Sequence, residues 1–246
     1  MVLAIAAAPA CVHAESVRGE FQSGGKTVEE FHCAPPGAGP YPAVLLLHGA
    51  GYAILASEDF EAMCTKLADH GFYAEYLEYY SRTDPVAPGF KPDIAKEFPV
   101  WLDEIHDGIA SLRKNPAVDP ERIGLMGFSM GAYLALTYAA RNPDDVAAVV
   151  DYYGGLPQAF AKKVTAMPPV LILHGDADTM VPVSEARALD AMLTKAGRPH
   201  QMHIYPGTPH GFNFETTPIY GKADADDAWR RSLKFLDDYV KYRRGE

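Results

Sequence analysis

Arg122-Ile123-Gly124-Leu125-Met126-Gly127-Phe128-Ser129-Met130-Gly131 runs directly into Ala132-Tyr133-Leu134-Ala135-Leu136-Thr137-Tyr138-Ala139-Ala140-Arg141. The first five residues are a short, largely apolar run and the last ten are strong helix formers. The Gly-x-Ser-x-Gly between them predicts a strand, a sharp turn and a helix with Ser129 at the apex. Glycines two residues before and after the serine let strand and helix approach without Cβ clashes, so the hydroxyl projects free of the sheet. A helix beginning at that point aims its positive end and its free N–H groups at any oxyanion forming there. Ser129 is therefore the candidate nucleophile.

A serine hydroxyl is a poor nucleophile near neutral pH and needs a base, with a third group to orient the base. Candidates follow in the order Ser, Asp, His. Val170-Leu171-Ile172-Leu173-His174 reads as a buried strand that breaks at Gly175 into Asp176-Ala177-Asp178 and restarts as a helix near Pro182. Of the two carboxylates, Asp178 lies farther along the turn, where it can reach across the strand ends. Asp176 is expected to tie the loop down through its own backbone amides. For the base, His210 lies in a Gly/Pro-rich loop, Pro206 to Gly211, after the strand around His203. His203 and His200 read as packing or surface residues, and His32, His70 and His106 have no partner pattern. The absence of a His-Glu-x-x-His motif or a Cys/His cluster predicts no metal site, and no cofactor is implied.

One oxyanion donor is expected from the N–H of Met130, directly after the nucleophile. The second is expected from the small-residue loop after the strand Ala43-Val44-Leu45-Leu46-Leu47-His48, with Ala50 chosen and Gly49 and Gly51 left open. His48 is expected to organise that loop rather than take part in chemistry. A hairpin around Gly24-Gly25 leads the chain. Apolar strands near 43–48, 72–77, 122–126, 146–153, 170–174 and 203 then alternate with helices at 58–70, 94–114, 132–141, 183–197 and 225–242. Near-continuous apolar strands separated by helices predict a mostly parallel central sheet with helices on both faces, an α/β fold. Ligands bind such sheets beyond the carboxyl ends of the strands, where Ser129, Asp178 and His210 all fall. The segment from Arg82 to Trp101 is too short for more than a small lid. It rims a pocket for which Tyr80, Phe90, Trp101, Tyr153 and Phe212 are candidate lining.

Taken together, His48-Gly49-Ala50-Gly51, Gly127-Phe128-Ser129-Met130-Gly131, Gly175-Asp176-Ala177-Asp178-Thr179-Met180-Val181-Pro182 and Pro209-His210-Gly211-Phe212 resemble the α/β-hydrolases of the dienelactone hydrolase-like group. The resemblance runs from about Tyr41 to Arg243. It implies Ser129 as nucleophile, Asp178 as orienting acid and His210 as base. It also exposes departures. Dienelactone hydrolases carry a cysteine nucleophile where this chain has Ser129, and a glutamate where it has His48. Their carboxylate-binding arginine after the catalytic histidine is replaced by Asn213 and Phe214. Arg82, after Tyr79-Tyr80-Ser81, is the candidate match for another family arginine, so Arg82, Tyr80 and Phe212 are the candidate substrate-binding residues.

The chain has 246 residues, 48% hydrophobic and 22% charged, with a formal net charge of −10. This suits one α/β domain over 15–246. No Lys/Arg stripe is present to neutralise phosphates, which argues against nucleic-acid binding, and after the first residues no apolar stretch has membrane-spanning length. Residues 1–14 read as a signal peptide, with Val12-His13-Ala14 before the cleavage point at Glu15, although no basic residue precedes Arg18. A periplasmic or secreted location is expected, with the cytoplasm as the alternative. If Cys11 leaves with the signal, Cys33 and Cys64 remain as a candidate disulfide, the other reading of Cys64 being a buried thiol in a helix. The function expected is hydrolysis of small esters or lactones through an acyl-enzyme. A peptidase or acyltransferase on the same triad, or a silent hydrolase fold used for binding, are the alternatives.

Overall fold

The computed structural model describes residues 14–50, 57–83 and 94–242. Eight strands form one sheet: β1 (Val17–Ser23), β2 (Lys26–Cys33), β3 (Tyr41–Leu47), β4 (Tyr73–Leu77), β5 (Val118–Phe128), β6 (Ala148–Tyr152), β7 (Val170–Gly175) and β8 (His200–Tyr205). Their spatial order is β1-β2-β4-β3-β5-β6-β7-β8. β1 and β2 pair antiparallel, as do β2 and β4, and every other pair is parallel. Among the described residues five α-helices accompany the sheet: α1 (Ser57–Asp69), α2 (Ile94–Leu112), α3 (Met130–Arg141), α4 (Ser184–Lys195) and α5 (Lys222–Leu236). This is the doubly covered, mostly parallel sheet expected from the apolar strand runs.

Those runs are continuous because both faces are buried. On β3, Ala43, Leu45 and Leu47 point into a core shared with α2, α3 and α4. Val44 and Leu46 point the other way, into a core shared with α1 and α5. Alternate residues of a strand thus feed different cores, and neither set has a wet side on which to place a polar residue. Cys33 on β2 and Cys64 on α1 are joined by a disulfide with Cα atoms 5.6 Å apart, closing a sequence separation of 31. In the chain-entropy picture a loop of that size contributes roughly 3–4 kcal/mol.

Several bounds differ from expectation. β5 starts at Val118, and its pairing with β3 shifts register between Tyr41 and Ala43; an Asp119–Arg122 ion pair at 2.6 Å lies within the shifted stretch. Residues 158–166, unassigned by pattern, form a 3-10 segment, and α5 passes into a π-turn over Asp237–Lys241. The leader reading at 1–14, the residue Gly51 and the lining residue Phe90 fall mainly or wholly outside the described residues. Among the described residues no helix is long and apolar enough to cross a membrane.

Candidate active site

The carboxyl ends of β5, β7 and β8 carry the three side chains of interest. Ser129 sits between β5 and α3 with φ 54° and ψ −116°, a left-handed conformation rare for a residue with a Cβ. Such strain costs about 1–3 kcal/mol and persists only where the surroundings over-determine it. Here the Ser129 N–H donates to Tyr152 O on β6 at 3.0 Å, and its carbonyl accepts from the N–H groups of Ala132 and Tyr133. The flanking glycines are required by space: a Cβ at Gly127 would overlap the Gly131 backbone, and one at Gly131 would overlap the carbonyls of Leu47 and His48. The elbow is therefore wedged against the end of β3. Although Ser129 occupies the N-cap position of α3, its hydroxyl makes no capping bond. It faces His210 instead.

His210 Nε2 lies 3.0 Å from Ser129 Oγ, and His210 Nδ1 lies 2.6 Å from Asp178 Oδ2. A carboxylate only accepts, so Nδ1 carries the hydrogen and Nε2 presents a lone pair to the serine hydroxyl. The remaining Asp178 oxygen accepts from the N–H groups of Met180 and Val181, both at 2.8 Å. It is Asp178, rather than Asp176, that engages its own turn amides. Asp176 Oδ1 accepts instead from the N–H of Gly207 at 2.6 Å, linking the acid turn to the histidine loop. That loop passes directly over the end of β7, where a Cβ at Gly175 would overlap the Thr208 carbonyl. Loop and turn are thus packed backbone to backbone.

Other groups near this chain of three were not singled out by pattern. His174 is fully buried, with Nε2 2.9 Å from the Val181 carbonyl and 3.5 Å from Asp178 Oδ2. Burial holds its pKa below the ordinary imidazole value, partly offset by those two acceptors. Asp151 on β6 is buried and accepts from the Gly154 N–H at 2.8 Å; burial pushes its carboxyl up to about 7 against that bond. Tyr153, by contrast, was among the candidate lining residues; it is buried and places its ring against His210, with centroids 4.5 Å apart.

The candidate oxyanion donors lie on two segments that the elbow brings together: Met130 opens α3, and Ala50 follows His48, whose carbonyl abuts Gly131. His48 is an organiser in this geometry. Its Nδ1 bonds Gly49 O at 2.9 Å, its ring stacks on Tyr79 at 4.0 Å, and Tyr79 OH donates to His48 O at 2.6 Å.

Two of the substrate-binding expectations need correction, and a third is modified. Arg82 turns away from the triad: its N–H donates to Glu104 Oε1 at 2.8 Å and its guanidinium reaches Ser23 Oγ at 3.3 Å, over the hairpin turn at Gly24. The buried Glu104 carboxylate captures the backbone there and directs the side chain outward. Phe212 is fully buried beneath the site, packed on Tyr153 and Tyr205, because the loop after His210 dives into the core shared with α5. Tyr80 is also buried, set edge-on to His48 and beside Trp101, so it supports the loop from behind. Trp101 donates to Thr83 Oγ1 at 2.9 Å from the same core. Among the described residues no cluster of His, Cys, Asp and Glu could hold a metal ion.

The model of the dienelactone hydrolase family matches residues 28–240. A protein of Aquifex aeolicus (strain VF5) assigned as a carboxymethylenebutenolidase is 26% identical over 230 residues, spanning 90% of this chain and 98% of its own. A protein of Escherichia coli O157:H7 with the same assignment is 28% identical over 235 residues, 88% of this chain and 84% of its own. Among solved structures, a protein of Klebsiella pneumoniae subsp. pneumoniae MGH 78578 assigned as a dienelactone hydrolase superposes with a TM-score of 0.78 at 26% identity, covering 91% of this chain and 99% of its own. Brefeldin A esterase, at 15% identity and a TM-score of 0.75 over 98% of this chain and 81% of its own, shares the fold.

Proposed function

The chain belongs to the dienelactone hydrolase family, a family of carboxylic ester hydrolases, and from that premise we propose that it cleaves esters or lactones of small substrates through an acyl-enzyme on Ser129. The observation that carries the reading is the continuous chain from Ser129 Oγ through His210 to Asp178, with bonds of 3.0 and 2.6 Å. Ser129 Oγ attacks the carbonyl carbon as its proton passes to His210 Nε2. The negative charge that develops on the carbonyl oxygen is held by the N–H groups of Met130 and Ala50. His210 then gives its proton to the leaving alkoxide oxygen, and the acyl group stays on Ser129. Water repeats the sequence: His210 takes its proton, the hydroxide oxygen bonds the acyl carbon, and Ser129 recovers the proton as the acid departs. Asp178 stabilises the imidazolium in both halves and fixes the tautomer.

The substrates favoured are neutral and short. Arg82 is engaged by Ser23 and Glu104, and Asn213 by Tyr153, so neither candidate position offers a cation to a substrate carboxylate. The negative overall charge repels anions further. Export is part of the same proposal, supported by the apolar residues 2–11, the small residue at Ala14 and the Cys33–Cys64 disulfide, which suits an oxidising compartment. N-terminal sequencing of protein recovered from the periplasm of a Gram-negative host should begin at or near Glu15; an intact Met1 would overturn export alone. The catalytic reading is tested by a fluorophosphonate probe, which should label Ser129 and leave Ser129→Ala unlabelled. A panel of acyl- and alcohol-varied esters, lactones and peptides should show turnover confined to the esters and lactones. A parent protein that resists the probe and turns over no ester would sink it.

A further inference from the structure

We propose that Tyr153 and Asn213 form an aromatic latch that positions His210 and supports its charged form, an inference that rests on reading His210 as the general base. Tyr153 directly follows β6 and is fully buried, yet it has a φ of 44°. A bulky side chain in that region is an outlier that needs external support. The support comes from both neighbouring strands: the Tyr153 N–H donates to Leu173 O on β7 at 2.8 Å, and the preceding carbonyl, Tyr152 O, accepts the N–H of Ser129. The same kink that anchors the nucleophile therefore turns the Tyr153 ring beneath His210, with centroids 4.5 Å apart and planes inclined by 58°.

The hydroxyl completes the device. Tyr153 OH donates to Asn213 Oδ1 at 2.6 Å, and Asn213 stands three residues beyond His210 on the same loop. Before His210 the loop is tied by Gly207 to Asp176 and by Thr208 Oγ1 to Asp224 at 2.5 Å. After it, the Glu215 N–H and Thr216 hydroxyl reach Asp59 on α1. The Tyr153–Asn213 bond fastens the stretch between these ties, directly under the imidazole. The stretch after the histidine, where dienelactone hydrolases place a substrate-binding arginine, thus serves here to hold the base.

The ring also faces charge. In each proton transfer His210 becomes a cation with the Tyr153 ring 4.5 Å away, centroid to centroid, within the roughly 6 Å over which an aromatic ring attracts such a charge. The titratable groups that face this imidazolium are Asp178 at Nδ1, Ser129 at Nε2, the Tyr153 ring below and His174 behind Asp178. His174 is kept neutral by burial, so it does not compete for Asp178. Tyr153 and Asn213 are positioning residues; neither exchanges the reacting proton.

The test is a cycle of Tyr153→Phe, Asn213→Ala and the double variant, with Tyr153→Leu and the controls Ser129→Ala and His210→Ala, assayed on p-nitrophenyl acetate. Tyr153→Phe, Asn213→Ala and the double variant should each lower kcat by a similar factor, about fivefold for one neutral hydrogen bond, with KM unchanged. The far-downfield proton resonance of the His210–Asp178 bond should broaden in all three. Tyr153→Leu should lose about tenfold or more, and the acid limb of its kcat/KM profile should move to lower pH as the cation loses the neighbouring ring. Tyr153→Phe, which keeps the ring, should leave that limb in place. Effects that multiply in the double variant, a rise in KM at constant kcat, or an unmoved acid limb in Tyr153→Leu would each overturn the latch. Should Tyr153→Leu fail to fold, the Phe and Ala variants decide the matter. If His210→Ala retains parent activity, the base assignment fails, and not merely the latch.

Discussion

Two buried histidines in this protein each sit beside a carboxylate and a phenol or hydroxyl, and only one is arranged for chemistry. His210 has Asp178 on Nδ1 and Ser129 on Nε2, so a proton can enter at one nitrogen while the other stays bonded to a carboxylate. His48 has Gly49 O on Nδ1 and Glu78 Oε1 3.2 Å from Nε2, with Tyr79 stacked on one face and Tyr80 edge-on. Its Nδ1 is bonded to a backbone acceptor, and its Nε2 lies near Glu78 without a hydrogen bond to it; neither nitrogen meets a hydroxyl. The residue types are nearly the same in the two places; the difference lies in where the second nitrogen points. Imidazole beside carboxylate is common, and a reactive hydroxyl in line with it is what makes a base.

That comparison can be broken most decisively at the nucleophile. Ser129→Ala should lower kcat by roughly 10⁶, the scale seen when a triad serine is removed, with folding intact. Activity within tenfold of the parent would contradict the assignment. Asp178→Asn should cost on the order of 10⁴ through loss of the tautomer lock. Asp176→Asn, which loses only the tie to Gly207, should cost far less; steady-state kinetics on one ester ranks the two. For the other histidine, His48→Gln should reduce kcat by roughly 10 to 100-fold by loosening the loop that carries one oxyanion donor, against the 10²–10³ of losing such a donor outright. A loss as large as that of His210→Ala would erase the distinction between the two sites.

Smaller effects sharpen the picture around the pocket. Short neutral esters should exceed carboxylated lactones by about tenfold in kcat/KM, the share of one charge-assisted hydrogen bond that the chain no longer offers. Because Arg82 faces the β1–β2 turn, Arg82→Ala should leave that ratio unchanged; a ratio that shifts would return Arg82 to the pocket. The smallest effect concerns stability. Burial pushes the Glu104 carboxyl up to about 8, against the Arg82 N–H and charge that pull it down, from an ordinary value of 4.5. A group with a raised folded-state pKa binds more protons folded than unfolded, so its contribution is full below 4.5 and is lost as pH rises towards about 8. Urea unfolding at about pH 5.5 and about pH 8.5 should therefore show a decline with pH that Glu104→Gln flattens. An equal slope in the variant would place the decline elsewhere.

Much of the architecture was legible along the chain because local rules and global fold agree. Apolar runs such as Ala43 to Leu47 and Val170 to Leu173 mark strands buried on both faces. Gly127 and Gly131 were readable as an elbow from their spacing about Ser129; the clash that requires Gly127 is local, whereas the one that requires Gly131 is with Leu47 and His48 at the end of β3. The bounds of β5 and the 3-10 segment at 158–166 were not legible, since the register shift that extends β5 to Val118 and the short 158–166 segment carry no apolar periodicity. The aromatic residues were the least readable. Phe212, Tyr80 and Trp101 are equally at home in a pocket wall or a core, and burial against distant elements chose the core.

The fold class and the order of the candidate nucleophile, acid and base were readable from the sequence, because each candidate lies where an apolar strand ends and a loop begins. Which groups meet was set by the folded arrangement. It brought Asp178 to His210 across 32 residues and His210 to Ser129 across 81, and it joined Tyr153 to Asn213 across 60. It also turned Arg82 away towards Ser23, 59 residues upstream. The physical reason is that strand and turn signals are carried by neighbours in the chain. The direction of a side chain at a loop tip is set by whatever acceptor, ring or carboxylate the folded sheet brings beside it.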